Sequence, residues 1–318
     1  MLPSVFHKFS NQDMINWLNE NGIGTVEENS WRIVLKSGKS RDLLDLLIKK
    51  SNENQVEIFN WIEIQKIERL NLVETTHGAS NMKISSSEYS EDPLSTKRES
   101  WLWKFKITTN KWIFETRNLI IATGWKSFPQ VWATGFGYEI AKKFGIKVIQ
   151  PYRWLCGIET VEDIKELAWN TIEVNAQIID WKKVIYEEFW SVLFTHRWIS
   201  GPVIFNSAIA IWNKSGSKIK LNFDIEKVSK KIIRFWNLNE KNNEVILNVK
   251  SIRPREEAKV TWWGVNLDEI KNNFEVKKIP WLYFVGEILD ITGRTGGYNL
   301  QWARSSGYVC GSMITDDK

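Results

Sequence analysis

Near the C-terminus, Leu282-Tyr-Phe-Val-Gly-Glu-Ile-Leu-Asp290 runs directly into Ile-Thr-Gly-Arg-Thr-Gly-Gly-Tyr-Asn-Leu-Gln301. Leu282 to Val285 is a short apolar run that stops where Gly286 and Glu287 begin, so it reads as a buried strand. From Tyr298 to Met313 the small and apolar residues Leu300, Ala303, Gly307 and Cys310 recur at helical spacing, which predicts a helix. Gly293, Gly296 and Gly297 lie between them. A strand, a glycine-dense turn and a helix in this order deliver backbone N–H groups to a helix N-terminus. Such a place suits an electron-rich group: a phosphate, a carboxylate or the pyrimidine end of a flavin.

A second apolar run into a glycine occurs at Asn118-Leu-Ile-Ile-Ala-Thr-Gly124. After a turn, the stretch from Gly135 to Phe144 predicts a helix with Tyr138, Ala141 and Phe144 on one face, capped by Gly145, and Lys147–Ile149 resumes as strand. This order is α/β in character. Upstream, Ser10 with Asp13 three residues later opens a helix that buries Met14, Trp17 and Leu18 and stops at Gly22. A second helix starts at Ser40 and carries Leu43, Leu44, Leu47 and Ile48, followed by strand-like pieces at Val56–Phe59 and Trp61–Ile67. Glu74 to Ser100 is polar and reads as a solvated loop.

Past Pro151 the texture changes. Ile172, Val174, Ala176 and Ile178 alternate with polar residues, the period of a strand with one wet face. Val184–Tyr186, Val192–Thr195, Ile219–Phe223 and Val245–Val249 add short strands, and Ile225, Val228, Ile232 and Trp236 suggest one helix. Residues 151–257 therefore read as a mostly antiparallel domain inserted between the two parts, 1–150 and 258–318, of an α/β domain. A chain of 318 residues has room for about two such domains. Its net charge of +5 is spread in mixed-sign runs, which gives little reason to propose a nucleic-acid partner. No apolar run approaches the ~18 residues needed to span a membrane, and no signal-peptide pattern opens the chain, so the expected location is cytoplasmic. Cys156 and Cys310 have no metal or CxxC spacing and read as small buried residues in a reducing compartment; no metal site is expected.

Nineteen Trp stand against seven Tyr and only 18 Gly. Several fall where turn chemistry asks for glycine: Trp125 after Ala-Thr-Gly124, Trp132 before Ala-Thr-Gly135, and Trp263 before Gly264. A bulky side chain suits neither positive φ nor close backbone approach.

Taken in order, Ala122-Thr-Gly-Trp-Lys-Ser127, Thr134-Gly-Phe-Gly-Tyr138, Leu193-Phe-Thr-His-Arg-Trp-Ile-Ser-Gly-Pro202, Glu257-Ala-Lys-Val-Thr261 and Gly286–Gln301 resemble the motif set of BaiN-like flavoproteins. These are NAD(P)/FAD-dependent oxidoreductases, also described as aminoacetone oxidase family FAD-binding enzymes. The resemblance covers nearly the whole chain. It implies a discontinuous Rossmann-like FAD/NAD(P)-binding domain with an inserted β-barrel and a helical subdomain, FAD as cofactor, NAD(P)H as electron donor, and a small-molecule substrate. It also implies an N-terminal strand, GxGxxG turn and helix for the FAD pyrophosphate. No such turn precedes Phe6, so the sequence is expected to begin inside the family pattern, missing a unit of ~30 residues or more. The family has glycine where this chain has Trp125, Trp132, Trp198, Trp263 and Trp281, and by the same pattern Trp31 and Trp112. The hypothesis that follows is UGA codons meaning glycine and translated as tryptophan; UGG at these positions of the coding DNA would sink it. Trp302 matches the family as tryptophan.

By the same resemblance, Gly286 and Glu287 sit at a strand end where Glu287 accepts hydrogen bonds from ribityl hydroxyls, and Asp290 orients the turn or contacts the ribityl chain. The backbone of Gly296, Gly297, Tyr298 and Asn299 faces the flavin N1/C2=O edge, where N–H groups and the helix dipole favour the reduced cofactor. Ala122, Thr123 and Gly124 lie near the dinucleotide. Gly135 and Gly137 serve either the ligand or close packing. His196 is a candidate proton donor or a turn histidine satisfying backbone groups. Arg294 and Arg304 flank the turn, as solvated cations or as partners of an acidic substrate. Two other readings compete: a noncatalytic truncated remnant, and a Trp-rich module that stacks sugars or nucleic-acid bases.

Overall fold

The computed structural model describes residues 2–28, 32–72, 84–85, 103–125, 134–150, 152–211, 214 and 216–314. The polar stretch 74–100 lies outside them except for two strand residues, as do Trp31, Trp132 and His77.

The inserted region closes into a six-stranded antiparallel barrel. Around it run Thr171–Asp180, Lys183–Phe194, Trp198–Ser200, Ile158–Thr160, Glu244–Ile252 and Lys218–Asn222, the last pairing back with the first. The alternation at Ile172, Val174, Ala176 and Ile178 places these side chains inside, where they pack with Val192, Phe194, Ile219, Leu221 and Leu247. Closure leaves no open edge among these strands. The two pieces expected at Val184–Tyr186 and Val192–Thr195 belong to one continuous strand, Lys183–Phe194, whose register shifts at a bulge opposite Ile178 and Ile179. Of the helical subdomain that the resemblance implies, the described residues hold only Pro202–Ser207 and Lys230–Trp236, the latter capped by the Ser229 hydroxyl.

The α/β part centres on Ile279–Phe284, which pairs in parallel with Leu119–Ile121 (Leu282 opposite Leu119, Phe284 opposite Ile121) and antiparallel with Glu275–Val276. The strand preceding the barrel in sequence therefore lies beside the one that follows it. Between the sheet and the helix Tyr298–Met313 lies a separate apolar core that includes Phe274, Leu282, Phe284, Ile288 and Trp302. The helix Phe136–Lys143 sits so close to the strand end that a Cβ on Gly137 would lie 2.2 Å from Thr123 Oγ1 and 2.3 Å from Ile288 Cδ1. Gly137 thus serves close packing, and Gly135 caps the helix at φ 81°. Ser10 and Asp13 form the expected capping box of Asn11–Glu20. Cys156 and Cys310 are both buried, the Cys156 thiol donating to the Trp154 carbonyl at 3.6 Å.

Two local expectations change, and two strands appear that no sequence pattern announced. Residues 56–59 form no strand; the strand starts at Ile64, runs to Leu72 and pairs with Trp103–Thr109. Lys147–Ile149 shrinks to a single bridge between Val148 and Val265, because Phe144-Gly-Ile leaves the helix into a turn with too few residues to build a ladder. Ile158–Thr160 and Trp198–Ser200 are too short to show a period, and only barrel closure makes them strands.

Nine non-glycine residues have positive φ among the described residues, and five are tryptophan: Trp61, Trp169, Trp181, Trp263 and Trp281, at 57° to 69°. In L-residues this conformation costs roughly 1–2 kcal/mol. Trp125, Trp198 and Trp112 do not share it.

No described helix is long and apolar enough to cross a membrane.

Candidate functional site

The parallel pairing brings two glycine-ended strands together. The chain leaves the sheet at Ala122-Thr-Gly124 on one strand and at Gly286-Glu287 on its neighbour, and the Val285 N–H still donates to the Ile121 carbonyl at 3.2 Å. Gly124 has φ 67° and Gly286 φ 75°, so both exits use the left-handed region. Ala122 and Thr123 are exposed. Gly286 is held on both sides by the C-terminal helix: its N–H donates to Ser306 Oγ at 2.9 Å, and its carbonyl accepts from the Trp302 indole at 2.9 Å.

Glu287 and Asp290 follow, partly buried, and no hydrogen bond reaches either carboxyl group from the described residues. Burial alone pushes Glu287 up to about 8 and raises Asp290 as well. Tyr138 joins them electrostatically from the neighbouring helix. Its hydroxyl is buried without a hydrogen-bond partner among the described residues, and burial, then Glu287 and Asp290, push its ionisation well above the ordinary phenol range.

The glycine turn is built by side chains on either side of it. Asn299 folds back on the loop, its Oδ1 accepting the Gly293 N–H at 2.6 Å and its Nδ2 donating to the Gly293 carbonyl at 2.9 Å. Gly296 and Gly297 take φ 130° and 92°, and Gly297 caps the helix. The first helical N–H groups have no partner within the helix, as at any helix start. The Asn299 side chain is thus consumed in shaping the turn, while the backbone of 296–299 stays at the helix N-terminus.

Two cavities meet at Gly296 and Tyr298. One, of about 740 Å³, lies between the turn and the N-terminal elements, with Met14, Leu18, Leu35 and Leu43 opposite Gln301 and Arg304. Arg304 has no ion pair among the described residues, and burial lowers its pKa, the mark of a cation short of an anion. The other, of about 860 Å³, lies between the turn and the barrel, lined by Glu28, Glu173, Glu188, Asn206 and Arg294. Across it the Thr295 N–H donates to Asn206 Oδ1 at 2.8 Å, and Asn206 Nδ2 donates to Glu188 Oε2 at 3.1 Å.

The sequence profile of the HI0933-like protein Rossmann domain matches residues 1–313. The chain belongs to the HI0933-like family. This is a BaiN-like family of FAD-binding oxidoreductases, which fits the Rossmann-like sheet and the inserted barrel described above. Within the HI0933-like family's relatives, the chain is 27% identical to the ribosomal RNA dihydrouridine synthase of Haemophilus influenzae, over 99% of this chain and 82% of that protein. It is 27% identical to the enzyme of the same name from Escherichia coli, over 65% of this chain and 62% of that one. A shorter match, 32% identical over 31% of this chain and 24% of the relative, is to the 3-dehydro-bile acid delta(4,6)-reductase of Clostridium scindens.

Of the residues singled out from sequence, Ala122, Thr123, Gly124, Gly286 and Glu287 lie at neighbouring strand ends, and Gly296, Gly297, Tyr298 and Asn299 form the helix start. His196 is apart from both. It is exposed in the turn between two barrel strands with its ring edge-on to Trp169 at 5.7 Å, and the Thr195 hydroxyl, not His196, closes that turn on the Trp198 backbone. Sequence reasoning passed over Tyr138, Glu188, Asn206 and Ser306 as site residues. Asn206 carried a usable signal: a polar residue in the apolar run Pro202–Ile211 that is 1% exposed.

Fitting FAD to these residues is a question of unspent hydrogen-bonding groups. The buried Tyr138 hydroxyl, the two carboxyl groups and Arg304, none of them with a hydrogen-bond or ion-pair partner among the described residues, are what a ligand bearing hydroxyls and phosphates would satisfy. The residues present fit the group.

Proposed function

We propose that the chain is a FAD-dependent oxidoreductase that passes hydride from NAD(P)H to a carbon–carbon double bond conjugated with a carbonyl group. FAD, when bound, supplies the hydride chemistry. What carries the reading is the desolvated pair Glu287 and Asp290, without donors among the described residues, at a strand end beside Ala122–Gly124. Glu287 and Asp290 would hold ribityl hydroxyls, with Glu287 protonated up to about pH 8 and so able to donate as well as accept. The 296–299 backbone would hold the carbonyl edge of the flavin ring, and Ala122–Gly124 would pass beside the dinucleotide. Gly286, fixed by Ser306 and Trp302, keeps the strand end in register with the helix.

The names of the relatives support the reductive half. Forming dihydrouridine and reducing a bile acid at its 4,6 positions both add hydrogen across a carbon–carbon double bond. Coverage favours a second, narrower reading in which the reduced ring is a uridine of an RNA: the dihydrouridine synthase match spans 99% of this chain, the bile acid reductase match 31%. The spread of charge along the sequence argues the other way, for a small free substrate.

The test is reconstitution with FAD, desalting, a visible spectrum, and anaerobic NADPH oxidation with free uridine, a uridine-containing RNA or a steroid dienone as acceptor. Flavin bands near ~370 and ~450 nm and a product heavier by two hydrogens are expected. Their absence from folded protein defeats the cofactor reading, and RNA-dependent turnover alone selects the narrower one.

A further inference from the structure

We propose that Asn206 is a positioning residue: from the barrel it holds the glycine turn so that the 296–299 backbone N–H groups aim at the carbonyl edge of the flavin. The inference rests on the flavin reading above and extends it, since it makes the inserted barrel part of what sets the reduction potential. Asn206 sits on Pro202–Ser207, the helix that follows the barrel strand Trp198–Ser200, and is 1% exposed. Its amide spends both ends: Oδ1 accepts the Thr295 N–H at 2.8 Å, and Nδ2 donates to Glu188 Oε2 at 3.1 Å. The amide can face only one way. A backbone N–H must meet its oxygen and a carboxylate must meet its nitrogen, so the two partners together fix the side chain. Glu188 is fixed in turn, because the Tyr186 hydroxyl donates to the same Oε2 at 2.5 Å.

Tyr186 and Glu188 belong to the long barrel strand Lys183–Phe194, so the turn is tied to a rigid element rather than to another loop. A second tie runs beside it, from Arg294 to Glu188 Oε1 at 3.9 Å, but the Arg294 side chain is 62% exposed and an ion pair in that setting contributes little. Asn206 is buried, and there a lost partner leaves a polar group with nothing to replace water. The turn is therefore pinned from two sides, on Gly293 by Asn299 of the C-terminal helix and on Thr295 by Asn206 of the barrel. Gly296 and Gly297, at φ 130° and 92°, follow directly and have no side chain to hold them, so without the barrel tie the direction of the N–H groups loosens. Reduced flavin carries its charge at the N1/C2=O edge. Loosely aimed N–H groups stabilise that form less, and the potential falls.

Two readouts separate the tie from the cofactor: tryptic cleavage between Arg294 and Thr295 in cofactor-free protein, and the flavin midpoint potential of FAD-loaded protein by dye equilibration. Asn206→Leu, close in shape, removes both bonds. It is expected to speed the cleavage severalfold and to shift the potential to more negative values. Asn206→Asp combined with Glu188→Gln exchanges donor and acceptor: the new amide at 188 donates to the new carboxylate at 206, which still accepts the Thr295 N–H, and both readouts are expected to return toward wild type. If Asn206→Leu fails to fold, Asn206→Asp alone, which sets two carboxylates face to face, supplies the single-site arm. An unchanged potential in the single-site variant, or a double variant no nearer to wild type than the single one, overturns the proposal. Wild type that takes up no FAD defeats the cofactor reading, and cleavage then decides the tie by itself: equal rates in wild type and variant overturn it.

A different observation carries a second inference. We infer that the native residue at positions 61, 169, 181, 263 and 281 is glycine. All five have left-handed backbone, which a bulky L-residue rarely adopts. Trp61 and Trp181 are 83% and 92% exposed, so packing gives an indole no reason to be there, and Trp169, 72% exposed, meets the His196 ring edge-on. Trp281 buries its indole N–H with no hydrogen-bond partner among the described residues. Three of the five positions, 61, 169 and 181, lie outside the motifs that raised the suspicion in the sequence. Coding DNA and peptide masses from the native organism decide it. UGA codons with peptides of glycine mass are expected; UGG codons, or UGA with peptides of tryptophan mass, overturn it.

Discussion

Among the residues with left-handed backbone, the glycines around the site and five tryptophans form two sets that are built differently. At Gly286 the unusual conformation is held from outside, by Ser306 on its N–H and Trp302 on its carbonyl, and at 293–297 by Asn299 and Asn206. At Trp61 and Trp181 the side chains stand in solvent, and Trp169, largely exposed, meets the His196 ring edge-on. The lesson is that a backbone conformation shared by both sets reflects a functional turn only where neighbouring groups pin it. Trp302 marks the contrast from the other side: helical, 2% exposed, its indole N–H satisfied, it is a tryptophan that the structure requires.

The largest effect is expected at that residue. Trp302→Ala removes the indole between Phe6 and Phe274 and the bond to Gly286, and should cost about 3–5 kcal/mol in denaturant unfolding. A loss below about 1 kcal/mol would mean that the strand end is not held by the helix. Next, Gly286→Ala isolates backbone strain, since the nearest atom to an added Cβ is Ala303 Cβ at 3.7 Å; a loss of about 1–2 kcal/mol is expected, with weakened FAD retention. Trp181→Gly should move the other way, raising stability by roughly 1 kcal/mol because strain is relieved without loss of packing. Equal and same-signed changes at 286 and 181 would erase the distinction between the two sets.

The smallest effect is one of pH. Burial raises Glu287 from 4.5 to about 8, so its neutral form is favoured by folding. Its contribution is complete below pH 4.5 and is lost as pH rises through 8. Glu287→Gln, which stays neutral, should flatten the fall in melting temperature across that window in the cofactor-free protein. An unchanged pH profile would show that the carboxyl is solvated.

How far the sequence reached can be judged from single residues. Ser10 and Asp13 announced a capping box because the donor, acceptor and spacing all lie within one turn. Leu282–Val285 and the helix after Tyr298 were legible from composition and period, and the barrel strand at Ile172–Ile178 from alternation. Ile158–Thr160 was not, since three residues carry no period and become a strand only by lying between Trp198–Ser200 and Glu244–Ile252. The glycine turn was visible, but not that Asn299 spends its side chain on Gly293. Glu188 was indistinguishable from any charged residue on a wet strand face until Tyr186 and Asn206 closed on it.

The sequence by itself determined local elements and the place of the glycine turn, because caps, periods and φ preferences act over a few residues. Only the tertiary structure decided that the 119–121 and 279–284 strands run side by side, that Glu287 and Asp290 lose water without gaining donors among the described residues, and that Asn206 reaches Thr295 across 89 residues. The physical reason is that desolvation and cross-chain hydrogen bonds depend on what sheet pairing and barrel closure bring within about 3 Å, and no local pattern encodes that distance.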